Sequence, residues 1–150
     1  MTADVVYLFQ EKILFDTSIY IHQMVRSRYT QAIADISRHS EFYLHSIVYE
    51  ELLVGVRSDK ERRELDVLKE DFYRNDRLVT PLHEDWENTG YLLNQLIRHK
   101  HCDAQTAIRM THDVLIALSA CRLGIRVVTQ NRKDFEKIKS LKNFKLTVWP

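Results

Sequence analysis

Four carboxylates and one amide lie where apolar segments of the chain end or begin: Asp16, Glu51, Asp113, Asn131 and Asp134. Carboxylates within a few ångströms of each other cannot all stay ionised without compensation, because like charges raise one another's pKa and a divalent cation relieves the repulsion. All-oxygen ligands favour hard cations such as Mg²⁺ or Mn²⁺. Such a site activates water beside a phosphodiester, so these residue types indicate phosphoryl chemistry.

Each acid also has a purely structural explanation. Asp16, which precedes Thr17 and Ser18, is a plausible N-cap, and Asp113 complements a helix dipole. Glu51 is explained as a surface helix residue and Asp134 as a turn residue. The four acids together are harder to explain by separate structural roles, because Asp113 begins an otherwise nearly apolar helix and Asp16 directly follows a core strand.

Strands alternating with helices are predicted to position these residues. Apolar or alternating segments predict strands at 12–15, 41–46, 77–82, 125–131 and 144–149. Helical patterns cover 17–39 (two helices broken near 26–29), 46–56 with Ser46 as N-cap, 59–75, 84–98 and 112–124, which Gly124 ends. This order predicts an α/β sandwich with a mainly parallel five-stranded sheet. Functional crevices in such sheets lie beyond the carboxyl ends of the strands, where Asp16 and Asn131 are expected.

The composition is that of an ordinary globular domain. The 150 residues are 45% hydrophobic and 29% charged, which suits a single domain over 1–150. No apolar run approaches the ~20 residues needed to cross a bilayer, so no membrane partner is expected. Residues 1–12 lack the basic start of a secretory signal. Cys102 and Cys121 form no CxxC pair, so a reduced, cytoplasmic setting is expected.

Charge is unevenly distributed along the chain. Residues 122–150 carry a net charge of +6, and the rest carries −5, because the whole chain carries +1. Such asymmetry marks either a polyanion-binding surface or ordinary solvated faces, and composition leaves both open. Two groups of basic residues are candidates for attracting a nucleic-acid backbone around an acidic pocket: Arg132, Lys133, Lys137 and Lys139, and separately Arg26 and Arg28.

Four short motifs resemble those of PIN-domain ribonucleases, most closely VapC-type toxins of prokaryotic toxin–antitoxin pairs. They are "ILFDTSIYI", "EELLVG", "HDVLIALSA" and "VVTQNRKDF", in the family's order over about residues 13–135. Each motif is weak alone, and the ordered set is fairly specific. The resemblance implies a single PIN-like three-layer sandwich and a metal-dependent endoribonuclease.

The resemblance also implies roles for the site residues. Asp16 and Asp113 would be the main metal ligands, and Glu51 and Asp134 would complete the shell or orient the attacking water. Family members place an acid or an amide at the position of Asn131, of Asp134, or of both. Asp134 is therefore expected to be the charged member, with Asn131 as a neutral ligand or a phosphate-orienting group.

Two neighbouring glutamates compete for the second acidic position. Glu50 and Glu51 differ by ~100° around a helix, so only one of them faces the site well. The E-L-x-x-G pattern selects Glu51 and leaves Glu50 on the solvent side. Many relatives carry a hydroxyl residue where this chain has Val48. The hydroxyl groups of Thr17, Ser18 and Thr129 are candidates to replace it.

The resemblance implies partners as well. Family toxins cut tRNA or ribosomal RNA, are silenced by a cognate antitoxin, and commonly form homodimers. Two alternatives keep the fold: a non-catalytic module that binds RNA or protein, and a housekeeping RNA-processing nuclease. A phosphatase or receiver module is disfavoured, because Ser18 stands where such a phosphatase needs a second aspartate. A zinc site in the segment 98–103 is less expected than a polar turn between helices.

Overall fold

The computed structural model describes residues 10–150, in which strands and helices alternate along much of the chain. The strands are β1 (Glu11–Phe15), β2 (Ser40–His45), β3 (Leu78–Val79), β4 (Arg126–Thr129) and β5 (Leu146–Val148). The helices are α1 (Thr17–Arg26), α2 (Thr30–Ser37), α3 (Ser46–Val54), α4 (Asp59–Arg74), α5 (His83–Arg98), α6 (Ala104–Arg109), α7 (Thr111–Arg122) and α8 (Arg132–Leu141). The predicted alternation is therefore confirmed.

The strands form one five-stranded sheet in the order β3-β2-β1-β4-β5, and every pair is parallel. β1 lies in the centre, where Ile13 pairs with Phe42 on one side and with Arg126 on the other. The strand order reverses direction at β1, because the chain moves outward to β2 and β3 and then returns to β4. The carboxyl ends of β1 and β4 are neighbours at this switch point, which is where α/β sheets place their functional crevice.

Alternate residues of β1 enter two separate cores, one on each face of the sheet. Leu14 is fully buried in the larger core, together with apolar side chains of α3, α5, α7 and α8. Ile13 and Phe15 point to the opposite face and pack with Ile19 of α1 and Tyr29, which precedes α2. This alternation follows from the two-residue period of a strand. The result is the predicted three-layer sandwich.

The structure corrects several predicted boundaries. β3 covers only Leu78–Val79 of the segment 77–82, and the six-residue α6 was not predicted. Ser46 is not the cap of α3, because the His45 side chain accepts the hydrogen bond from the Ile47 backbone N–H. Two predicted helix ends are confirmed: α1 ends before Ser27, which has a left-handed φ of 50°, and α7 ends before Gly124, which has a φ of 67°.

Two expectations concern the ends and surface of the chain. Most of the N-terminal segment that lacks a secretory signal pattern, residues 1–9, lies outside the described residues. No helix within residues 10–150 is long and apolar enough to cross a membrane.

His45 is the one described buried side chain with an unpaired polar atom, its Nε2. The imidazole is fully buried, and burial is the main cause that lowers its pKa from 6.5 to about 4. Asp85 raises this pKa, while Arg122 and His112 lower it further. The folded protein therefore holds His45 neutral over a pH range in which the unfolded chain binds a proton.

We expect this difference to destabilise the protein in acid. Between pH 6.5 and about pH 4 the unfolded state binds one more proton at His45, so stability falls as the pH falls through this window. The loss should reach about 3 kcal/mol relative to a His45→Gln variant. Urea unfolding at a series of pH values measures it, with exposed His39→Gln as the control. Parallel pH profiles for wild type and His45→Gln would contradict the expectation.

Candidate active site

All five predicted site residues lie at the carboxyl edge of the sheet, around the ends of β1 and β4. Asp16 immediately follows β1, and Asn131 follows β4 and caps α8. Asp113 and Asp134 lie in the first turns of α7 and α8, and Glu51 lies on α3. Four separate stretches of chain therefore contribute to one pocket.

Asp16 is buried, with only 5% of its surface exposed. Burial raises the pKa of its carboxyl group, and hydrogen bonds to hydroxyl groups oppose the rise. Ser18 Oγ and Thr129 Oγ1 both donate to Asp16 Oδ2, at 2.9 and 2.8 Å. Asp16 occupies the N-cap position of α1, but its side chain makes no capping hydrogen bond, so capping does not account for the carboxylate.

Asp113 is the most strongly perturbed acid of the site. Burial is the largest cause that raises its pKa, and the charges of Asp16, Asp134 and Glu51 raise it further, to about 8. The four carboxylates are thus close enough to repel one another. This repulsion is the effect that the residue types predicted.

Asn131 lies between two of the carboxylates and holds them together. Its Nδ2 donates to Asp113 Oδ2 at 3.2 Å and to Asp134 Oδ2 at 3.1 Å. Its Oδ1 accepts from the Asp134 backbone N–H at 3.3 Å and so caps α8. The amide nitrogen of Asn131 therefore orients the Asp113 and Asp134 carboxylates, and its amide oxygen caps the start of α8.

Glu51 is held by two residues that flank other site acids. Thr17 Oγ1 donates a hydrogen bond to Glu51 Oε2, and His112 Nδ1 lies 2.9 Å from Glu51 Oε1. Glu50 is exposed, as predicted from the helix geometry. Val48 is fully buried, and of the three candidate hydroxyl groups it is that of Thr17 which bonds to Glu51.

The pocket carries uncompensated negative charge. Among residues 10–150, no lysine or arginine forms an ion pair with Asp16, Asp113, Asp134 or Glu51, and His112 is the sole basic group in contact with them. Within the same range, no three His, Cys, Asp or Glu side chains are close enough to hold a metal ion as they stand. Carboxylates that repel one another are expected to remain apart until a cation offsets their charge. The all-oxygen donor set fits a hard divalent cation.

The zinc alternative gains no support, because the segment 98–103 forms the connection between α5 and α6. Asp103 uses its Oδ1 to cap α6, accepting from the Thr106 N–H at 2.7 Å. The predicted polar turn is therefore confirmed.

The basic residues are only partly placed as expected. Lys133 and Lys137 lie on α8 and form no ion pair within residues 10–150, whereas Arg132 pairs with Glu136 at 2.9 Å. Lys139 lies in the last turn of α8, where its Nζ donates to the Phe144 carbonyl just before β5. Lys139 therefore belongs to the opposite edge of the sheet, and its predicted place on the rim of the acidic pocket is wrong.

Two neighbours of the acids make contacts that the sequence patterns did not indicate. His112 immediately precedes Asp113 and contacts Glu51 on a different helix. Thr129 was named as a hydroxyl donor, but its second bond was not anticipated: its Oγ1 accepts from the Asn131 backbone N–H at 2.9 Å. This hydroxyl thus links Asp16 to the residue that orients Asp113. The position of Thr129 at the end of an apolar strand was the available signal.

The fold is shared with solved structures of VapBC proteins. The chain matches VapBC2 from Rickettsia felis bound to a promoter DNA fragment, with a TM-score of 0.67, 22% identity, and coverage of 93% of this chain and 99% of that chain. It matches DNA-bound VapBC from Salmonella typhimurium with a TM-score of 0.67, 22% identity, and coverage of 94% and 100%. VapBC-1 from nontypeable Haemophilus influenzae gives a TM-score of 0.67 at 20% identity, with coverage of 92% and 98%.

Sequence comparisons give the family directly. A search of curated proteins finds no match. The family model of the PIN domain matches residues 13–141, which include every residue of the acidic pocket. This chain is a member of the PIN domain family, and its fold is that of the VapC-type proteins.

Proposed function

We propose that this protein is a divalent-metal-dependent endoribonuclease that hydrolyses RNA phosphodiester bonds, and that it acts as the toxin of a toxin–antitoxin pair. The observation that carries the proposal is the pocket of Asp16, Glu51, Asp113 and Asp134, whose mutual repulsion no described lysine or arginine offsets. A cluster of buried carboxylates without a bound cation would destabilise the fold, so a purely structural role does not explain it. PIN domains are nucleases as a class, and the family model matches residues 13–141 of this chain.

Asp16 and Asp113 are proposed to hold Mg²⁺ or Mn²⁺, with Glu51 and Asp134 completing the ligand set or orienting the water. A bound divalent cation supplies positive charge that offsets the negative charge developing on the phosphate oxygens. Ser18 and Thr129 fix the Asp16 carboxylate, and Asn131 fixes the Asp113 and Asp134 carboxylates. These bonds preorganise the oxygens before substrate arrives.

Glu51 is proposed to orient the attacking water and to accept its proton at a carboxylate oxygen. Thr17 and His112 each hold one oxygen of this carboxylate, so its plane is fixed. A fixed acceptor favours attack in line with the leaving oxygen of the phosphodiester. Lys133 and Lys137 on α8 are proposed to attract the RNA backbone, because an acidic pocket repels RNA unless cations surround it.

The partners are proposed from the family and the related structures. The related structures include VapBC with promoter DNA and FitAB bound to a DNA fragment. A cognate antitoxin that covers the acidic pocket with a basic side chain fits the uncompensated charge found here. We also propose tRNA or ribosomal RNA as the substrate, a homodimer as the assembly, and the cytoplasm as the location.

The proposal is tested by RNA cleavage with controlled metal. Purified protein incubated with total tRNA and ribosomal RNA should produce discrete fragments in Mg²⁺ or Mn²⁺ and none in excess EDTA, because the carboxylates need a cation to face a phosphate. Gel electrophoresis of end-labelled RNA detects these fragments. Cleavage that persists in EDTA would contradict the metal requirement. Full metal occupancy without any cleavage would favour a non-catalytic module.

A further inference from the structure

A second polar cavity lies at the opposite edge of the sheet from the acidic pocket. It has a volume of about 430 Å³ and lies beside the amino ends of β4 and β5, next to the loops that enter these strands. Cavities of roughly 300–1,000 Å³ hold small organic ligands. Arg126 begins β4 on this side and Asn131 follows β4 on the other, so the two sites are separated by roughly 15 Å of extended strand.

Three cationic side chains line this cavity: Arg126, Lys139 and Lys145. The two ammonium groups are held by neutral oxygens. Lys139 Nζ donates to the Phe144 carbonyl at 2.5 Å and to Asn143 Oδ1 at 3.3 Å, and Lys145 Nζ donates to the Gly124 carbonyl at 3.2 Å. Within residues 10–150 neither lysine has a carboxylate partner, so their charges are not neutralised.

The lysines keep capacity for a further acceptor. An ammonium group has three donors, of which Lys139 uses two and Lys145 uses one in these contacts. Their existing bonds fix the two side chains, so less entropy is lost when an anion binds. Arg126 contributes less free charge, because its Nε pairs with Glu11 Oε1 at 2.5 Å.

The rest of the lining is largely apolar. Cys121 and Leu146 are half-buried and line this side with apolar surface, whereas Ile125 and Phe144 are almost fully buried. An inorganic phosphate would contact the cations and leave the apolar part empty. A larger ligand with an anionic end and an organic body would contact both parts.

We infer that this cavity binds a phosphate ester of nucleoside size, with the phosphate at Lys139 and Lys145 and the organic group against Cys121 and Leu146. Free nucleotides and single nucleotide units of an RNA strand share this chemistry. The site is distinct from the acidic pocket in position and in charge.

The inference is tested by binding in EDTA, where metal-dependent cleavage is absent. AMP and a 2′-O-methyl RNA hexanucleotide are titrated separately into the full chain, and affinity is measured by calorimetry and the location by amide NMR shifts. Shifts centred on Gly124, Asn143 and Lys145 are expected. The double variant Lys139→Gln/Lys145→Gln should bind at least ~10-fold more weakly, through loss of two charge-assisted contacts.

Two further variants separate the effect of the cavity from a general loss of charge and from misfolding. Lys142→Gln removes the same charge from an exposed lysine outside the cavity and should change affinity less than ~2-fold. Asn143→Asp retains the acceptor for Lys139 and adds a negative charge, so it should weaken binding in a chain that folds normally. Binding of AMP alone identifies free nucleotides as the source, and binding of the hexanucleotide alone identifies RNA.

Absence of shifts at the cavity with both probes, or an equal loss in Lys142→Gln, would overturn the inference. Ribonuclease activity does not enter this readout, so the cavity and the proposed function can fail independently.

Discussion

Replacing Asp113 by asparagine is expected to lower the rate of the proposed metal-dependent RNA cleavage at least ~100-fold. Asp113 is the acid whose charge the other three most strongly oppose, and burial together with their charges raises its pKa to about 8. A cation bound between Asp113 and Asp16 would relieve this repulsion, and asparagine cannot supply the negative charge. Asp16→Asn should have a comparable effect. Single-turnover rates at saturating Mg²⁺ or Mn²⁺ measure both.

The glutamates of α3 offer a matched control for this experiment. Glu51→Gln should also reduce cleavage strongly, because Thr17 and His112 position this carboxylate in the pocket. Glu50→Gln makes the same chemical change on the adjacent, exposed residue and should leave the rate within ~2-fold of wild type. Equal rates in wild type and in Asp113→Asn would remove the acidic pocket from the mechanism.

Loss of activity in Asp113→Asn should not reflect unfolding. In the folded protein the pKa of Asp113 lies above its ordinary value of 3.8, so wild-type stability falls as the pH rises from this value to about 8. Asparagine avoids that loss and can still accept the bond from Asn131. Without metal, at about pH 9, the variant should be at least as stable as wild type in thermal unfolding.

Asp85→Ala is expected to cost about 3 kcal/mol of unfolding free energy, because it removes the buried carboxylate that pairs with the largely buried Arg122. Arg122 donates to Asp85 through Nη2 at 2.9 Å and through Nε, and the Leu82 N–H donates to Asp85 Oδ2 at 2.8 Å. Burial raises the pKa of Asp85, but the bonds from Arg122 and Leu82 outweigh it and hold the pKa below its ordinary value. Urea unfolding at neutral pH measures the loss.

Glu84 is the natural control for Asp85. It lies 3.8 Å from the same Arg122, but its side chain is 61% exposed. Exposed pairs of this kind contribute little, so Glu84→Ala should change stability by less than about 0.5 kcal/mol. Equal costs for the two variants would show that Asp85 does not act through the buried pair with Arg122.

The sequence was most informative where hydrophobic periodicity and local chemistry agree. The apolar segment before Asp16 fits only a buried strand, and the apolar segment after Asp113 fits only a buried helix. Both elements are found as predicted. Parallel strands then bring their carboxyl ends together, so the position of Asp16 beside Asn131 follows from topology. The carboxylates could be assigned to one pocket without knowledge of any distance.

Features that depend on contacts between distant segments could not be predicted. The bond of Asp85 to Arg122 joins α5 to the end of α7, and nothing in either local sequence indicates it. α6 has six residues, too few for a periodic signal, although Asp103 supplies a capping residue. Lys139 was assigned by its position in the sequence, whereas one helix of ten residues carries it to the far edge of the sheet.

The four contributions to the acidic pocket come from the beginning, middle and end of the chain, and the sheet that aligns them is parallel throughout. Such a topology relies on contacts remote in sequence, which form late and cooperatively in folding. A ribosome-bound nascent chain that has not yet released α8 therefore lacks Asn131 and Asp134. The proposed RNA cleavage should therefore begin only once α8 has folded against the sheet.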